Sequence, residues 1–206
     1  MKRYVVSIGR QLGSGGKEIA ARLAKELDIN VYDKSLLQVA AHESGIDAAM
    51  FEEADERNSG SFFTNLFSIH GSISEFIPGG SCLEHDNLFE IQSEAIRDIA
   101  GRESCIIVGR CAEYVLRDHD AMLSIFITAD NDDRVDRVAK AENVERSIAA
   151  DIIEKGDKRR RSYHDYYATT RWGEARCYDL CINSSRLGID GTVEFLKAFI
   201  TKHFNL

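Results

Sequence analysis

Residues 4–27 read YVVSIGRQLGSGGKEIAARLAKEL, and this stretch contains the signals that decide the fold. Residues 4–8 form an apolar run rich in β-branched side chains, which predicts a strand buried in a sheet. A glycine-rich segment follows, and over residues 17–27 apolar side chains recur at three- and four-residue spacing, which predicts a helix. The order of strand, tight loop and helix is typical of the first unit of a parallel α/β domain.

The loop between this strand and this helix carries the sequence Gly13-Ser14-Gly15-Gly16-Lys17. Glycines let backbone N–H groups turn toward a phosphate without a Cβ in the way, and a lysine reaches the outer phosphates as a point charge. We therefore predict that these five residues bind the phosphates of a nucleoside triphosphate. The alternative is an ordinary glycine-rich turn between a strand and a helix.

The loop departs from the full P-loop pattern at two positions. Gln11 stands where the pattern has its first glycine, and Glu18 stands where a Ser or Thr hydroxyl usually helps to hold magnesium. We expect the Glu18 carboxylate, or another acid, to ligate the metal instead. Asp33 ends a second predicted strand, 30–33. It organises magnesium-bound water or the acceptor, and the alternative is that it caps the helix predicted to follow.

The rest of the chain alternates predicted helices with predicted strands. Further strands are predicted over 105–108, 122–128 and 177–183, and helices over 34–43, 88–99, 132–142, 146–167 and 193–203. This alternation predicts a single domain over 1–206, with a three-layer α/β/α fold and a parallel five-stranded sheet. Residues 58–80 mix Gly and Ser with phenylalanines, which indicates an insertion or a flap. The apolar segment 61–80 is a candidate contact for a homo-oligomer, with a membrane-facing helix or an acceptor flap as alternatives.

The composition excludes several classes of protein. A formal net charge of -8 argues against a general nucleic-acid binder, which would need many Lys and Arg side chains to neutralise phosphates. No apolar stretch approaches the roughly 20 residues that cross a bilayer. An odd number of cysteines without a common zinc spacing fits reduced thiols; they are Cys82, Cys105, Cys111, Cys177 and Cys181. We therefore expect a cytoplasmic protein that binds neither nucleic acid nor membranes.

Phosphoryl transfer spreads negative charge over the moving oxygens, so arginines are the residues to look for. Arg110 follows a predicted buried strand at its carboxyl end, where ligands bind in open α/β sheets. We expect Arg110 to contact a phosphate, although a structural salt bridge is the alternative. Arg134 and Arg137 lie one turn apart on an acidic predicted helix, and either lid contacts or local ion pairs would explain them.

The long predicted helix 146–167 carries the run Asp157-Lys158-Arg159-Arg160-Arg161. Asp157 and Arg160 are three residues apart, so they share one face of the helix. In an acidic protein, three consecutive arginines favour a phosphate-binding role, with Arg160 first and Arg159 or Arg161 second. The alternative is a solvated basic face.

Four parts of the chain together resemble the cytidylate kinase-like family, a branch of the nucleoside monophosphate kinases. They read SIGRQLGSGGKEIA, VYDKSLLQVAA, IIVGRCAEYVL, and DKRRRSYHDYY followed by YDLCINSS. The resemblance implies a P-loop kinase fold that uses ATP and Mg²⁺. It also implies a helical lid at 146–172 and an acceptor-binding insertion within 34–100.

Taken with the residue-based interpretations, the resemblance implies three groups of site residues. The catalytic group is Lys17, Arg110, Arg160 and Asp157. The group that binds ATP and its metal is the loop from Gly13 to Lys17 with Glu18 and Arg159, and the group that binds the acceptor is Asp33, Arg110, Cys111 and Arg161.

The sequence thus predicts an ATP-dependent kinase of a small phosphate acceptor, most favourably a nucleoside monophosphate. True cytidylate kinases have Gly-Arg-Asp where this chain has Gly109-Arg110-Cys111, and that acid helps to recognise cytosine. A thiol is a weak donor and a weak acceptor, so we expect slow phosphorylation of CMP. A nucleotide sensor without turnover and a kinase of a non-nucleotide metabolite are the alternative functions.

Overall fold

A computed structural model of the chain describes residues 3–33 and 82–206. The predicted helix over 34–43, the predicted insertion over 58–80 and the candidate oligomer contact at 61–80 lie outside the described residues. The part of the predicted acceptor-binding region before residue 82 lies outside them as well. The phosphate loop and the predicted lid at 146–172 are described in full.

Strands and helices alternate through the described ranges. The strands are β1 (Val5–Arg10), β2 (Asn30–Tyr32), β3 (Cys105–Val108), β4 (Met122–Thr128) and β5 (Leu180–Asn183). The helices are α1 (Gly16–Leu27), α2 (Cys82–Arg102), α3 (Ala112–Val115), α4 (Asn131–Glu142), α5 (Arg146–Tyr167) and α6 (Gly188–Phe204). None of these helices is long and apolar enough to cross a lipid bilayer.

Several elements differ from the sequence-based expectation, and helices α2 and α6 begin at Cys82 and Gly188 rather than at residues 88 and 193. The last strand begins at Leu180 rather than at residue 177, because Ala175–Cys177 form a 3-10 turn in which the Cys177 N–H donates to the Glu174 carbonyl (2.8 Å). The short helix α3, directly after β3, was not predicted. Its four residues are too few for a helical period to show in the sequence.

The five strands form one parallel sheet in the order β2-β3-β1-β4-β5. The central strand β1 pairs with β3 on one side and β4 on the other, so that Ile8 lies beside Val108 and Ile125. The predicted parallel five-stranded sheet is confirmed. Because all strands run the same way, their carboxyl ends meet at one edge, where ligands bind in such sheets.

Alternate residues of the strands build the two apolar layers that flank the sheet. Val6 and Ile8 of β1 pack in a core with α1 and α6, which contribute Leu23 and Leu196 among others. On the opposite face, Val5 of β1 packs with residues of α2 and α3 in a second core. The predicted three-layer α/β/α architecture is therefore confirmed.

A third apolar cluster joins α4 to α5. It consists of Val135, Val138, Ala149 and Ile153, with Leu12 of the phosphate loop packed against it. Gly156 allows this close approach of α5 to the loop, since a Cβ at that position would lie 2.7 Å from the Leu12 Cδ2. The amino-terminal half of the predicted lid helix is thus held by apolar packing.

A buried acid–histidine pair fastens the carboxyl-terminal half of α5 to the sheet. The Nε2 atom of His164 lies 2.8 Å from Oε1 of Glu113 on α3, and the Ser7 hydroxyl of β1 donates to Oε2 of Glu113 (3.2 Å). The other ring nitrogen, Nδ1, lies 3.1 Å from Oδ1 of Asp165. Burial opposes protonation of His164, but the hydrogen bonds and charges of Glu113 and Asp165 outweigh it and raise the histidine pKa.

The raised pKa of His164 predicts that this part of the fold weakens as the pH rises. Below the ordinary pKa of 6.5 the histidine is protonated in both the folded and the unfolded chain, and its stabilising contribution is fully present. That contribution is lost as the pH passes through the higher pKa of the folded state. In urea unfolding, His164→Asn should therefore cost more free energy at about pH 6 than at about pH 9.

A double-mutant cycle with Glu113→Gln isolates the pair from the other titrating groups. The coupling energy between Glu113 and His164 should be largest at the lower pH and should shrink at the higher one. A coupling energy that is the same at both pH values would show that His164 is neutral in the folded protein.

Candidate phosphoryl-transfer site

Polar side chains follow the carboxyl ends of three neighbouring strands. Arg10 ends β1, Asp33 follows β2, and Arg110 comes two residues after the end of β3. Helix α5 brings Arg160 to the same place, where its Nη1 donates to the carbonyl oxygen of Arg10 (3.1 Å). This edge of the sheet therefore combines groups from four separate parts of the chain.

The phosphate loop is held in shape by hydrogen bonds around Ser14, whose side chain is fully buried. Its hydroxyl donates to the carbonyl oxygen of Gln11 (2.8 Å), and its own carbonyl accepts a bond from the Ser184 hydroxyl that follows β5 (2.7 Å). Helix α1 begins at Gly16, directly after Gly15 in the left-handed region at φ 76°. The first N–H groups of a helix have no partner within the helix, which suits them to bind an anion.

Two arginines of α4 bind the outer side of the loop. The Nε of Arg134 donates to the Leu12 carbonyl (2.8 Å), and the Nη1 of Arg137 donates to the Gly13 carbonyl (3.1 Å). The C=O and the next N–H of a trans peptide point in opposite directions, so the Gly13 N–H points away from Arg134. Both arginines thus position the loop, and Arg134 also pairs with Asp157 of the predicted lid, so it makes the lid contact that was one of the two expectations for it.

Asp157 connects α5 to this loop through both of its carboxylate oxygens. Oδ1 accepts a hydrogen bond from the Leu12 N–H (2.8 Å), and Oδ2 pairs with Nη2 of Arg134. Asp157 and Arg160 share one face of α5, as their spacing predicted, because both reach residues of the β1–α1 connection. The geometry favours a positioning role for Asp157, and its predicted catalytic role stays a prediction.

Lys17 and Asp33 form an ion pair at the mouth of the loop. Their Nζ and Oδ2 atoms are 3.1 Å apart, and the lysine side chain is 77% exposed. An exposed pair of this kind contributes only about 0–1 kcal/mol, so a phosphate can compete for the lysine. Lys17 is therefore free to turn to the outer phosphates of a bound nucleotide.

The residues around Lys17 fit a magnesium ion bound together with a nucleotide. Among the described residues, no group of three or more His, Cys, Asp and Glu side chains is placed to hold a metal ion by itself. Magnesium at phosphate sites usually needs only one or two carboxylates, besides phosphate oxygens and waters. Asp33, which pairs with Lys17, and Glu18, the next residue along the chain, offer such carboxylates, and Glu18 is exposed, with Oε1 accepting from Arg22 (2.5 Å). The role of Glu18 as a metal ligand stays a prediction.

Three arginines converge beside the loop: Arg10, Arg110 and Arg160. Burial, together with the positive charges of the other two and against the attraction of Asp33, lowers the pKa of Arg10 to about 10. Burial also lowers the pKa of Arg160, and the negative charge of Asp157 is the main influence that opposes this shift. Three like charges in one half-buried place destabilise one another, which is the arrangement expected where an anion binds.

Arg110 stands in a strained turn. Gly109, Arg110 and Cys111 have φ angles of 77°, 62° and 55°, so two side chains occupy a region that favours glycine. Such strain is found at functional sites. The guanidinium lies 5.1 Å from the centre of the Tyr163 ring, and its Nη1 donates to Oε1 of Gln92 (3.5 Å). Arg110 is therefore held by α2 and α5 as well as by its own turn.

Gln92 is a site residue that the sequence-based prediction missed. Its Oε1 also accepts a hydrogen bond from the Tyr163 hydroxyl (3.3 Å), and its buried Nε2 has no hydrogen-bond partner among the described residues. The sequence did contain a signal, because Gln92 is a polar side chain on the same helix face as Ala95, Ile96 and Ile99, which are buried in the core. Arg10 was missed as well, although its place just after a predicted strand is the same signal that pointed to Arg110.

Three predicted site residues do not join this convergent group. Cys111 is only 3% exposed, and burial together with the charge of Glu113 raises the pKa of its thiol, so it offers little surface to an acceptor. Arg161 lies with its Cζ 5.7 Å from the centre of the Trp172 ring, and Arg159 is exposed to solvent. Their predicted roles in binding acceptor and ATP stay predictions.

A parallel sheet with a phosphate loop after its first strand, and an arginine-bearing helix beside that loop, define the P-loop kinase class. Residues 5–186 match the cytidylate kinase-like family, and the chain belongs to this family. The chain is 28% identical to a cytidylate kinase of Methanopyrus kandleri, over 95% of this chain and 92% of that protein. A cytidylate kinase of Methanocaldococcus jannaschii is 22% identical, over 95% and 97% of the two chains.

Solved structures agree with this class. A protein from Eubacterium ventriosum has a TM-score of 0.71 and 30% identity, over 96% of this chain and 98% of its own. A shikimate kinase from Acinetobacter baumannii shares the fold at a TM-score of 0.51 and 10% identity, over 98% and 95% of the two chains. Family and fold together support a kinase of a nucleotide or another small molecule.

The tight loop predicts an unequal response to alanine at two glycines that both have positive φ. Gly13 has φ 78°, and an added Cβ would lie 2.7 Å from the Arg134 carbonyl oxygen, whereas Gly188 has φ 67° and open space around it. Gly188→Ala should lower the free energy of unfolding by about 1 kcal/mol, the cost of a left-handed alanine. Gly13→Ala should cost more and weaken ATP binding by about tenfold or more, because the backbone of the loop must shift.

Urea unfolding and titration calorimetry with ATP measure the two effects. Equal losses of stability in both variants, with ATP affinity intact, would mean that the loop absorbs the added methyl group and is not held rigidly by Arg134.

Proposed function

We propose that the protein transfers the terminal phosphoryl group of ATP, in the presence of Mg²⁺, to the phosphate of a nucleoside monophosphate. The observation that carries this proposal is the convergence of Arg10, Arg110 and Arg160 beside the phosphate loop. The loop and Lys17 suffice to bind the phosphates of the donor. Additional cations at the carboxyl end of β3 fit an acceptor that is itself a phosphate.

In the proposed reaction, an oxygen of the acceptor phosphate attacks the γ-phosphorus of ATP and forms a new P–O bond. The bond from that phosphorus to the β–γ bridging oxygen breaks, and ADP leaves with the electron pair. Bound Mg²⁺ would neutralise part of the charge on the β- and γ-phosphates, with Glu18 and Asp33 as the residues placed to hold it. Lys17 binds the outer donor phosphates, and Arg110 and Arg160 stabilise the charge that spreads during transfer.

An acceptor phosphate fits the titratable groups of the site, since its oxygen is already anionic and needs no general base. His164 is committed to Glu113 and Asp165 in a buried network, and Asp157 is bound by Leu12 and Arg134. Asp33 pairs with Lys17, whose side chain is exposed. A hydroxyl acceptor would need such a base, which makes Asp33 the residue to test for a non-nucleotide metabolite.

Recognition of the acceptor base cannot follow the family pattern at position 111. The Cys111 thiol is buried and hydrogen-bonds weakly, so it does not replace a carboxylate that reads cytosine. The name cytidylate kinase belongs to relatives of 22–30% identity. We therefore propose a nucleoside monophosphate acceptor and expect little preference for cytosine.

The acceptor prediction is tested with labelled ATP, magnesium and a panel of CMP, UMP, AMP, GMP and non-nucleotide alcohols. Transfer to nucleoside monophosphates, with CMP phosphorylated slowly or not at all, is the expected result. Transfer only to an alcohol, abolished by Asp33→Asn, would replace this proposal by a metabolite kinase. A preference for CMP of about a thousandfold would show that another residue reads the base.

The donor prediction concerns Lys17. Lys17→Ala should weaken ATP binding by about tenfold or more, because a hydrogen bond to a charged group is worth about 1.5–3 kcal/mol. Lys25→Ala, in the last turn of the same helix, is the matched control and should bind ATP like the unmodified protein. Equal ATP affinity of both variants in titration calorimetry would contradict the assignment of the phosphate loop.

A further inference from the structure

Arg10 joins the two halves of the site. Its stem packs on the first turn of α1, where a Cβ on Gly16 would lie 2.8 Å from the Arg10 Cβ and 3.1 Å from its Cδ. Its Nη1 lies 3.2 Å from the position of a Cβ on Gly109, at the start of the turn that presents Arg110. The side chain thus runs from the donor side, at the phosphate loop, to the acceptor side, after β3.

The guanidinium of Arg10 donates no hydrogen bond and makes no ion pair within residues 3–33 and 89–206. A guanidinium carries five N–H donors, and leaving them unpaired in a half-buried place such as that of Arg10 is unfavourable. The charges of Arg110 and Arg160 increase that cost, while Asp33 reduces it from a distance. A ligand with several negatively charged oxygens would satisfy the donors and remove the repulsion.

The nearby acids are engaged elsewhere. Asp33 pairs with Lys17, Asp157 with Leu12 and Arg134, and Glu113 with Ser7 and His164. The backbone of Arg10 is fixed from two sides, since its carbonyl accepts from Arg160 and its strand pairs with β4. The position of the Arg10 side chain and its lack of a partner among the described residues favour a role in ligand binding over a role in folding.

We propose that Arg10 is a catalytic residue that binds the phosphoryl group while it moves from ATP to the acceptor. The inference rests on the proposed function and assigns a residue to the reaction written above. Arg10 donates to the equatorial oxygens of the moving group and gives up no proton.

The test compares Arg10→Gln with Arg97→Gln, a control that changes an exposed arginine on α2. Arg10→Gln should lower kcat by about 100-fold or more while the Kd of ATP changes by less than about threefold, since the lost contact belongs to the transition state. Arg10→Lys should restore little activity, because an ammonium group lacks the planar fork. Arg97→Gln should leave both quantities unchanged.

Stability separates catalysis from a structural role. Without ligand, Arg10→Gln should melt at the same temperature as the unmodified protein or at a higher one, because it removes one of three repelling charges. A lower melting temperature, together with a loss of ATP affinity by the same factor as the loss of kcat, would overturn the proposal and show that Arg10 has a structural role.

A binding measurement that needs no turnover tests the role of Arg10 independently of the proposed function. ADP with magnesium and aluminium fluoride imitates the moving phosphoryl group, and the unmodified protein should bind it more tightly than ADP alone. Arg10→Gln should lose that difference and keep its affinity for ADP. If no acceptor is phosphorylated, the proposed function fails while this measurement still decides the role of Arg10: an undiminished difference in Arg10→Gln would rule it out.

Discussion

The ion pair between Arg134 of α4 and Asp157 of α5 is the contact on which the shape of the site depends. Both partners are largely buried, and each also bonds to the backbone of Leu12, so helix, helix and phosphate loop are tied at one point. Removing one partner of a buried pair typically costs about 3–5 kcal/mol, because the other charge is left uncompensated. The loop therefore keeps its form before any nucleotide arrives, and the face of α5 that carries Arg160 is fixed beside it.

Arginines in this site serve two different purposes, and their partners distinguish them. Arg134 and Arg137 hydrogen-bond to loop carbonyls, which are fixed parts of the protein. Arg10 and Arg160 are half-buried among like charges, although Arg160 also donates to the Arg10 carbonyl, and Arg110 is held by a glutamine and an aromatic ring rather than by an acid. The first kind contributes to the fold, while repulsion among the arginines of the second kind lowers stability.

The same distinction explains what could be predicted from the sequence. The sheet and the phosphate loop were predictable, because periodicity and the Gly13–Lys17 segment are local signals. The last strand begins three residues later than predicted, because Ala175–Cys177 form a 3-10 turn instead of an extended segment. No apolar pattern in the sequence distinguishes these two conformations. Arg10 and Arg160 are 150 residues apart in sequence, so that their contact depends on the completed fold. A sequence shows which side chains are charged, whereas their partners decide what the charge does.

The placement of the cations has a consequence for an acidic protein. A net charge of -8 repels nucleotides from most of the surface, so the site must attract them over a short range. Half-buried arginines around the phosphate loop suit this purpose, because low surrounding polarity strengthens their field. Arg10, Arg110 and Arg160 are not balanced by the nearby acids, because Asp33 pairs with Lys17 and Asp157 pairs with Arg134. An anion bound there would reduce the repulsion among the three arginines, so the charge balance of the site itself favours a phosphate ligand.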